Sequence, residues 1–211
     1  MTGCLRVVKG LHSRCVFGRR IRVLAQTLAP LLPAGRVLDV GCGDGAIDEL
    51  IMAHRPDVAI EGVEVMPRPA SAIPVAKFDG RTLPFGPESF DAVLLIDVLH
   101  HADDPVHLLR ECARISAGAV IVKDHVARGP WGRAVLRFMD WVGNRPHGVV
   151  LRYQFLDEQG WERTVRDAGL ACVHSVPRVA LYPFPFSLVF APSLQRVFVL
   201  RRSRPGPASR G

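Results

Sequence analysis

The sequence predicts an α/β fold, with helices on both faces of a mostly parallel sheet, and three observations predict it. Short apolar segments alternate with amphipathic ones over the first 125 or so residues, the pattern of repeated strand–helix–strand units. Asp91 to Ile96 is apolar at nearly every position, as a strand covered on both faces must be. The apolar run Val37-Leu38-Asp39-Val40 ends in a glycine cluster, Gly41-Cys42-Gly43-Asp44-Gly45, and an amphipathic stretch follows at once. A strand that enters a tight turn and leaves it as a helix needs such glycines.

Bulk properties agree. A chain of 211 residues holds one domain with its own core. Hydrophobic residues make up 48% and charged residues 22%, which excludes a disordered chain. The net charge of +7 is spread out, apart from Arg19-Arg20 and the segment Arg201-Arg202-Ser203-Arg204. No basic stripe is interleaved with aromatics, so no specific nucleic-acid partner is expected. The five cysteines are odd in number, widely spaced and without a C-x-x-C pair, which argues against a zinc site or a disulfide framework and suits a reducing cytoplasm. The N-terminus lacks the continuous apolar core of a signal peptide. The longest apolar run, Val179 to Leu194, carries Pro183, Pro185 and Pro192 and does not read as a membrane span.

Element by element, Ile21, Leu24, Leu28 and Leu31 or Leu32 fall at helical spacing over residues 18–32, and Pro33 ends that helix. Strands are expected at 36–40, 58–63, 75–78, 91–96 and 119–123, and helices at 46–54 and 105–115. Three prolines between Met66 and Pro74 keep any helix there short. Past residue 125 the rhythm changes. Trp131 to Val142 reads as an additional helix. Asp157 can cap the next one, with Leu156 and Trp161 placed as a hydrophobic staple and Gly169 at its end. Leu170–Val176 and Arg196–Leu200 are the sixth and seventh strands, separated by the proline-stiffened loop Tyr182-Pro183-Phe184-Pro185-Phe186. The organisation predicted is a single domain over residues 1–203, with an inserted cap segment at about 126–156 and a flexible tail at 204–211.

The glycine turn carries the chemistry. Its helix N-terminus presents free N–H groups, which suit either a dinucleotide pyrophosphate or the methionine and ribose portions of S-adenosylmethionine. Gly41, Gly43 and Ala46 alone satisfy a loose G-x-G-x-x-A pattern and do not decide between them.

The flanking residues do. Asp39-Val40-Gly41-Cys42-Gly43-Asp44-Gly45 resembles, position by position, the acidic-x-Gly-x-Gly-x-Gly motif of the class I S-adenosylmethionine-dependent methyltransferases, and of their type 11 subgroup in particular. Glu64 in Glu61-Gly62-Val63-Glu64 matches the family's acidic residue at the end of the second strand. Asp79-Gly80-Arg81-Thr82-Leu83-Pro84-Phe85 resembles its D-x-x-x-L-P-F segment. Ser89-Phe90-Asp91-Ala92-Val93 and Val98-Leu99-His100-His101 resemble the borders of its fourth strand. The likeness covers about residues 18–125, more loosely the remainder. It implies a three-layer Rossmann-like sandwich with a mostly parallel seven-stranded sheet and an antiparallel last strand. It also implies S-adenosyl-L-methionine as cofactor, held by Asp39, Gly41, Cys42, Gly43, Gly45, Glu64, Val65, Asp79, Gly80 and Asp97. Glu64 would take the ribose hydroxyls, Asp79 the adenine amino group and Asp39 the methionine amino end.

Methyl transfer from a sulfonium needs alignment and exclusion of water, and needs a base only where the acceptor must lose a proton. His100, His101 and His125 stand at the carboxyl edge of the sheet, where open α/β sheets bind ligands, and are the candidate bases. Each has a plainer alternative in packing or helix capping. Asp124 with His125 reads as an orienting pair; a metal held there with Asp97 lacks the full acidic ligand set of the catechol-type enzymes, so none is expected. The aromatic residues Trp131, Phe138, Trp141, Tyr153, Phe184 and Phe186 suggest an apolar or aromatic small-molecule acceptor, methylated at O, N or C. The aromatic loop and basic tail also permit weak membrane-surface association. A monomer and a homodimer fit equally. Two other classes remain open on sequence: a nicotinamide-dependent oxidoreductase, opposed by the L-P-F segment and the lack of a Tyr-Lys pair, and a binding module that holds S-adenosylmethionine without turnover.

Overall fold

The computed structural model describes residues 17–144 and 152–203. Its sheet has seven strands: β1 (Gly35–Val40), β2 (Val58–Glu64), β3 (Val75–Lys77), β4 (Phe90–Ile96), β5 (Ser116–His125), β6 (Leu170–Val176) and β7 (Gln195–Arg202). Their order is β3-β2-β1-β4-β5-β7-β6. All neighbouring pairs from β3 to β5 are parallel, and β7 runs antiparallel to both β5 and β6. This is the expected mostly parallel, seven-stranded α/β sheet with an antiparallel last strand.

Alternation along the central strands builds two cores from one sheet. Leu38 and Val40 of β1, Val93 and Leu95 of β4, and Val120 and Val122 of β5 enter one apolar cluster. It also holds Leu109 and Cys112 of helix α3 (Pro105–Ile115) and Trp161 and Val165 of helix α5 (Glu158–Asp167). Val37, Ala92, Leu94, Ala119 and Ile121 enter the other, with Leu24 and Leu28 of helix α1 (residues 17–28) and Ile51 of helix α2 (Ala46–His54). Helices thus cover both faces, giving three layers.

Local signals set the helix ends. The Asp104 carboxylate accepts the His107 N–H at 2.9 Å ahead of Pro105, and that of Asp157 accepts the Gly160 N–H at 2.8 Å. Gly169 takes a φ of 75° just past α5. Residues 66–74 form bends rather than a helix, as their prolines require. Helix α4 (Gly129–Asn144) lies over a third, smaller cluster of Ala127, Val135, Leu136, Phe155 and Leu194. A short helix α6 (Phe186–Val189) ends the aromatic loop. The strand expected at 119–123 is longer than the apolar run suggested, because Ser116 pairs with β4 ahead of a register shift and the strand stays paired with β4 or β7 from Ala119 to His125. The expected tail at 204–211, and residues 145–151 of the expected cap, lie outside the described residues.

The chain steps outward from β1 in both directions, to β2 on one side and β4 on the other. Between the carboxyl ends of β1 and β4 no crossover helix can cover the sheet edge, and a crevice forms there.

Candidate active site

Two groups of residues meet at this crevice. The first is the glycine turn at the tip of β1. Gly41, Gly43 and Gly45 all have positive φ, at 77°, 62° and 72°. A Cβ on Gly41 would stand 2.6 Å from Val98 Cγ2, so glycine here lets the turn close against the start of the β4 exit loop. Cys42 directs its sulfur away from the turn, to the space above Gly62, where burial pushes the thiol pKa up; the backbone of residue 42, rather than its side chain, belongs to the cradle.

Glu64, at the end of β2, reaches over the turn. Its Oε2 accepts the Gly43 N–H at 3.0 Å and its Oε1 the Val65 N–H at 2.9 Å, which leaves acceptor capacity on both oxygens. Val65 is 43% exposed and lies against Gly80, where a Cβ would come within 3.2 Å of its Cγ2. An apolar ledge and a carboxylate therefore stand side by side at the tip of β2. Asp79 turns its Oδ1 to the N–H groups of Arg81 and Thr82 at 2.8 and 2.7 Å, and those bonds lower its pKa. It braces its own turn and keeps one oxygen free of these bonds. Arg68 and Asp44 pair at 3.0 Å beside Gly43.

Beneath the turn lies a feature the sequence reading missed. Asp39 is buried, as is Asp48 on the inner face of α2. No N–H group of the described residues reaches Asp39 Oδ1 or either Asp48 oxygen. Burial, and after it the charge of Asp48, raises the Asp39 pKa well above the usual carboxylate range, and burial brings Asp48 to about 7. The signal available in sequence was an acid one position past Ile47 on an otherwise apolar helix face.

The second group stands at the ends of β4 and β5. Asp97 has a φ of 58° and takes Arg20 of α1 at 2.8 Å and the Nζ of Lys123 on its two carboxylate oxygens. Burial opposes its charge, but Lys123, His125 and Arg20 outweigh that and hold its pKa far down. Lys123 is fully buried in β5 and also donates to Gln195 Oε1 at 2.6 Å. Asp97 is thus a strut between α1 and β5.

The three histidines are brought together. His100 and His101 form a 3-10 turn after β4, and His125 is the last residue of β5. The ring centroid of His100 is 4.0 Å from that of His101 and 4.9 Å from that of His125. Asp124 pairs with His100 more closely than with its sequence neighbour: its Oδ1 is 2.7 Å from His100 Nδ1 and 3.2 Å from His125 Nδ1. Its Oδ2 accepts the Leu99 N–H at 3.1 Å. Burial disfavours the charged form of His100, but Asp124 outweighs it and raises the pKa. Burial lowers His125, and burial with the neighbouring His100 lowers His101. From α4, Asp140 approaches His101 Nε2 at 3.4 Å and His100 Nε2 at 3.9 Å. Asp140, the one acidic residue of the α4 segment, was the signal overlooked in the sequence. Phe155 closes the cluster, its ring 5.3 Å from that of His100.

The donor set of the first group fits an adenosyl sulfonium: acceptor oxygens at two strand tips, a glycine turn with close backbone approach, an apolar ledge, and a buried Asp39 oxygen without an N–H partner. Comparison with known proteins agrees. Residues 14–175 match the family model described as a methyltransferase domain, well over half of the chain. A ubiquinone biosynthesis O-methyltransferase of Hahella chejuensis is 34% identical over 115 residues, 47% of this chain and 46% of that protein. The 27-O-demethylrifamycin SV methyltransferase of Amycolatopsis mediterranei is 29% identical over 101 residues, 42% of this chain and 37% of that one. The chain therefore matches less than half the length of these curated relatives. A Thermotoga maritima structure described as a SAM-dependent methyltransferase shares the fold, with a TM-score of 0.66 and 22% identity over 93% of this chain and 96% of that one. With most of its length matching the family model, the chain belongs to the class I S-adenosylmethionine-dependent methyltransferases.

Proposed function

We propose that the chain transfers the methyl group of S-adenosylmethionine to an oxygen of a small, apolar or aromatic acceptor bound between the histidine cluster and α4. The observation that carries this is Glu64, a carboxylate of one strand tip leaning over the glycine turn of the next and donated to by Gly43. When bound, the donor supplies a sulfonium methyl group already activated for displacement. The chain's residues have the remaining work. Glu64 accepts from the ribose hydroxyls, Val65 and Gly80 flank the adenine with Asp79 at its edge, and Asp39 with the backbone of residues 41–45 takes the methionine end. Asp97, tied to Arg20 and Lys123, fixes α1 across the crevice beside the donor. His100, His101 and His125 line the acceptor side and are placed to take up the acceptor's proton, with Asp124 orienting His100. Oxygen is adopted as acceptor atom because the names of two relatives denote O-methylation. No described helix is long and apolar enough to cross a membrane. Exposed Trp131 and Phe184 support weak contact with a membrane surface or a lipid-like acceptor.

Calorimetry with S-adenosylmethionine and its demethylated product is the test. The wild-type chain is expected to bind both and not a nicotinamide dinucleotide, and Glu64→Ala to lose at least about tenfold in affinity, the loss of one hydrogen bond to a charged group. A folded wild-type chain with no affinity for either nucleoside overturns the reading.

A further inference from the structure

We infer that Asp48 is a positioning residue for the methyl donor: it keeps a proton beside Asp39, so that the ammonium group of the donor's methionine end drives one proton out of the buried pair on binding. The inference rests on the methyl-transfer reading and adds a proton to its binding step.

The geometry confines the two acids to each other. Asp39 is 2% exposed on β1 and Asp48 1% exposed on α2. The neighbours of Asp39 in register are Gly62 of β2 and Leu94 of β4, and neither side chain offers a donor. Among the described residues, Asp39 Oδ1 and both Asp48 oxygens have no N–H partner. The two carboxyls are within hydrogen-bond reach of one another, but ionised carboxylates have no hydrogen to share. A proton between them satisfies both, whereas two dry, adjacent negative charges are costly.

The surroundings supply no charge to replace that proton. Around the pair stand Cys42 and Asp44 of the turn, Glu64 of β2 and Cys112 of α3. Burial keeps both thiols neutral. Burial is also the main cause of both raised carboxyl pKa values; Glu64 adds to it at Asp39 and Asp44 at Asp48. The Arg68 guanidinium beside Gly43 is taken up by Asp44 at 3.0 Å.

The methionine end of the donor carries the positive charge that the pair lacks. Below a pH of about 7 both carboxyls hold hydrogen. On meeting the ammonium, Asp39 loses its proton to water and accepts from the ammonium instead. Asp48 keeps its own proton and donates it to Asp39 Oδ1, a neutral acid serving as a hydrogen-bond donor. By linkage, affinity rises with pH up to about 7, at most about tenfold per unit, and is level above.

Calorimetry with S-adenosylhomocysteine, run in buffers of different ionisation enthalpy, counts the proton. Release of roughly one proton is expected at about pH 5.5 and little at about pH 7.5, with affinity rising about 10- to 30-fold between them. The nucleoside 5′-methylthioadenosine lacks the amino-acid end and should bind with no release and a flat profile. Asp48→Asn offers a permanent donor in place of the protonated acid. It should hold affinity within about threefold at the higher pH and lose both the release and the slope. Asp48→Leu, which has no donor, should weaken binding there by about tenfold. Infrared spectra of the ligand-free protein should show a protonated-carboxyl band at neutral pH that Asp48→Asn reduces. S-adenosylhomocysteine binding without proton release, or with the same release in Asp48→Asn, overturns the inference and leaves methyl transfer standing. If neither nucleoside binds, methyl transfer falls and the linkage with it, while the infrared band still decides whether the two acids share a proton.

Discussion

The two sides of the crevice are built in opposite ways. On the proposed donor side, the turn and the carboxylate that leans on it come from residues 39–45 and 64, at the tips of two adjacent parallel strands. On the proposed acceptor side, the contacting groups come from α1, the β4 exit, β5, α4 and β7, joined by buried and half-buried polar links such as Arg20–Asp97–Lys123–Gln195 and Asp124–His100. The donor side is made by backbone conformation and the acceptor side by long-range electrostatics. A ligand common to a whole family can be met by the first kind of construction. A ligand particular to one chain calls for the second, in which each partner is free to change.

This contrast predicts where damage will fall. The largest effect is expected on the acceptor side from Lys123→Met. It strips a fully buried ammonium partner from the Asp97 carboxylate and leaves Gln195 without its donor, for about 3–5 kcal/mol of stability measured by denaturant unfolding. A loss under about 1 kcal/mol would show that the charges there are not truly dry. Next comes Gly41→Ala on the donor side, where an added methyl meets Val98 at 2.6 Å in a backbone with φ of 77°. About 2–4 kcal/mol is expected, together with lost nucleoside binding. Asp124→Asn should separate the two sides. Methylation is expected to fall about 10- to 100-fold while S-adenosylhomocysteine affinity stays within about twofold; equal loss of both would mean that the sides are coupled.

The smallest effect is a gain. Asp48 ionises at about 7 in the fold because it is buried, against an ordinary value of 3.8. Between those values the folded chain keeps on Asp48 a proton that the unfolded chain has released, so this residue's contribution to stability falls as pH rises from about 4 to 7 and is level above, while Asp39, raised as well, adds a loss of its own. Asp48→Asn should remove that slope. It should raise stability by about 1–2 kcal/mol at pH values above 7, a rise in Tm of about 2–8 °C, with the difference vanishing towards pH 4.

The same contrast explains what the sequence could tell. The sheet, its order of elements and the donor turn were legible, because apolar period and glycine spacing are local signals written in consecutive residues. The ends of β5 were not, since pairing with β4 and β7 rather than local composition extends it to Ser116 and His125. The histidines were seen as candidates but their partners were not. Asp124 was assigned to its neighbour His125, yet the fold gives its shorter contact to His100, 24 positions away. Arg20 carried no local mark of its role and Asp140 only that of being the one acid in its helix, because nothing in a helix's own period says which distant turn it will face. Asp48 is the reverse case. Its period places it inward beside Ile47 and Ile51, but no local signal says that a second acid, Asp39, waits there.

The small cluster under α4 shares no residue with the two cores that flank the sheet. Remodelling the lid of the crevice, by exchange of Val135, Leu136 or Phe155, therefore leaves both halves of the sandwich packed as before. Such independence makes the roof over the proposed acceptor site a replaceable part, open to change while the chassis around the glycine turn stays in service.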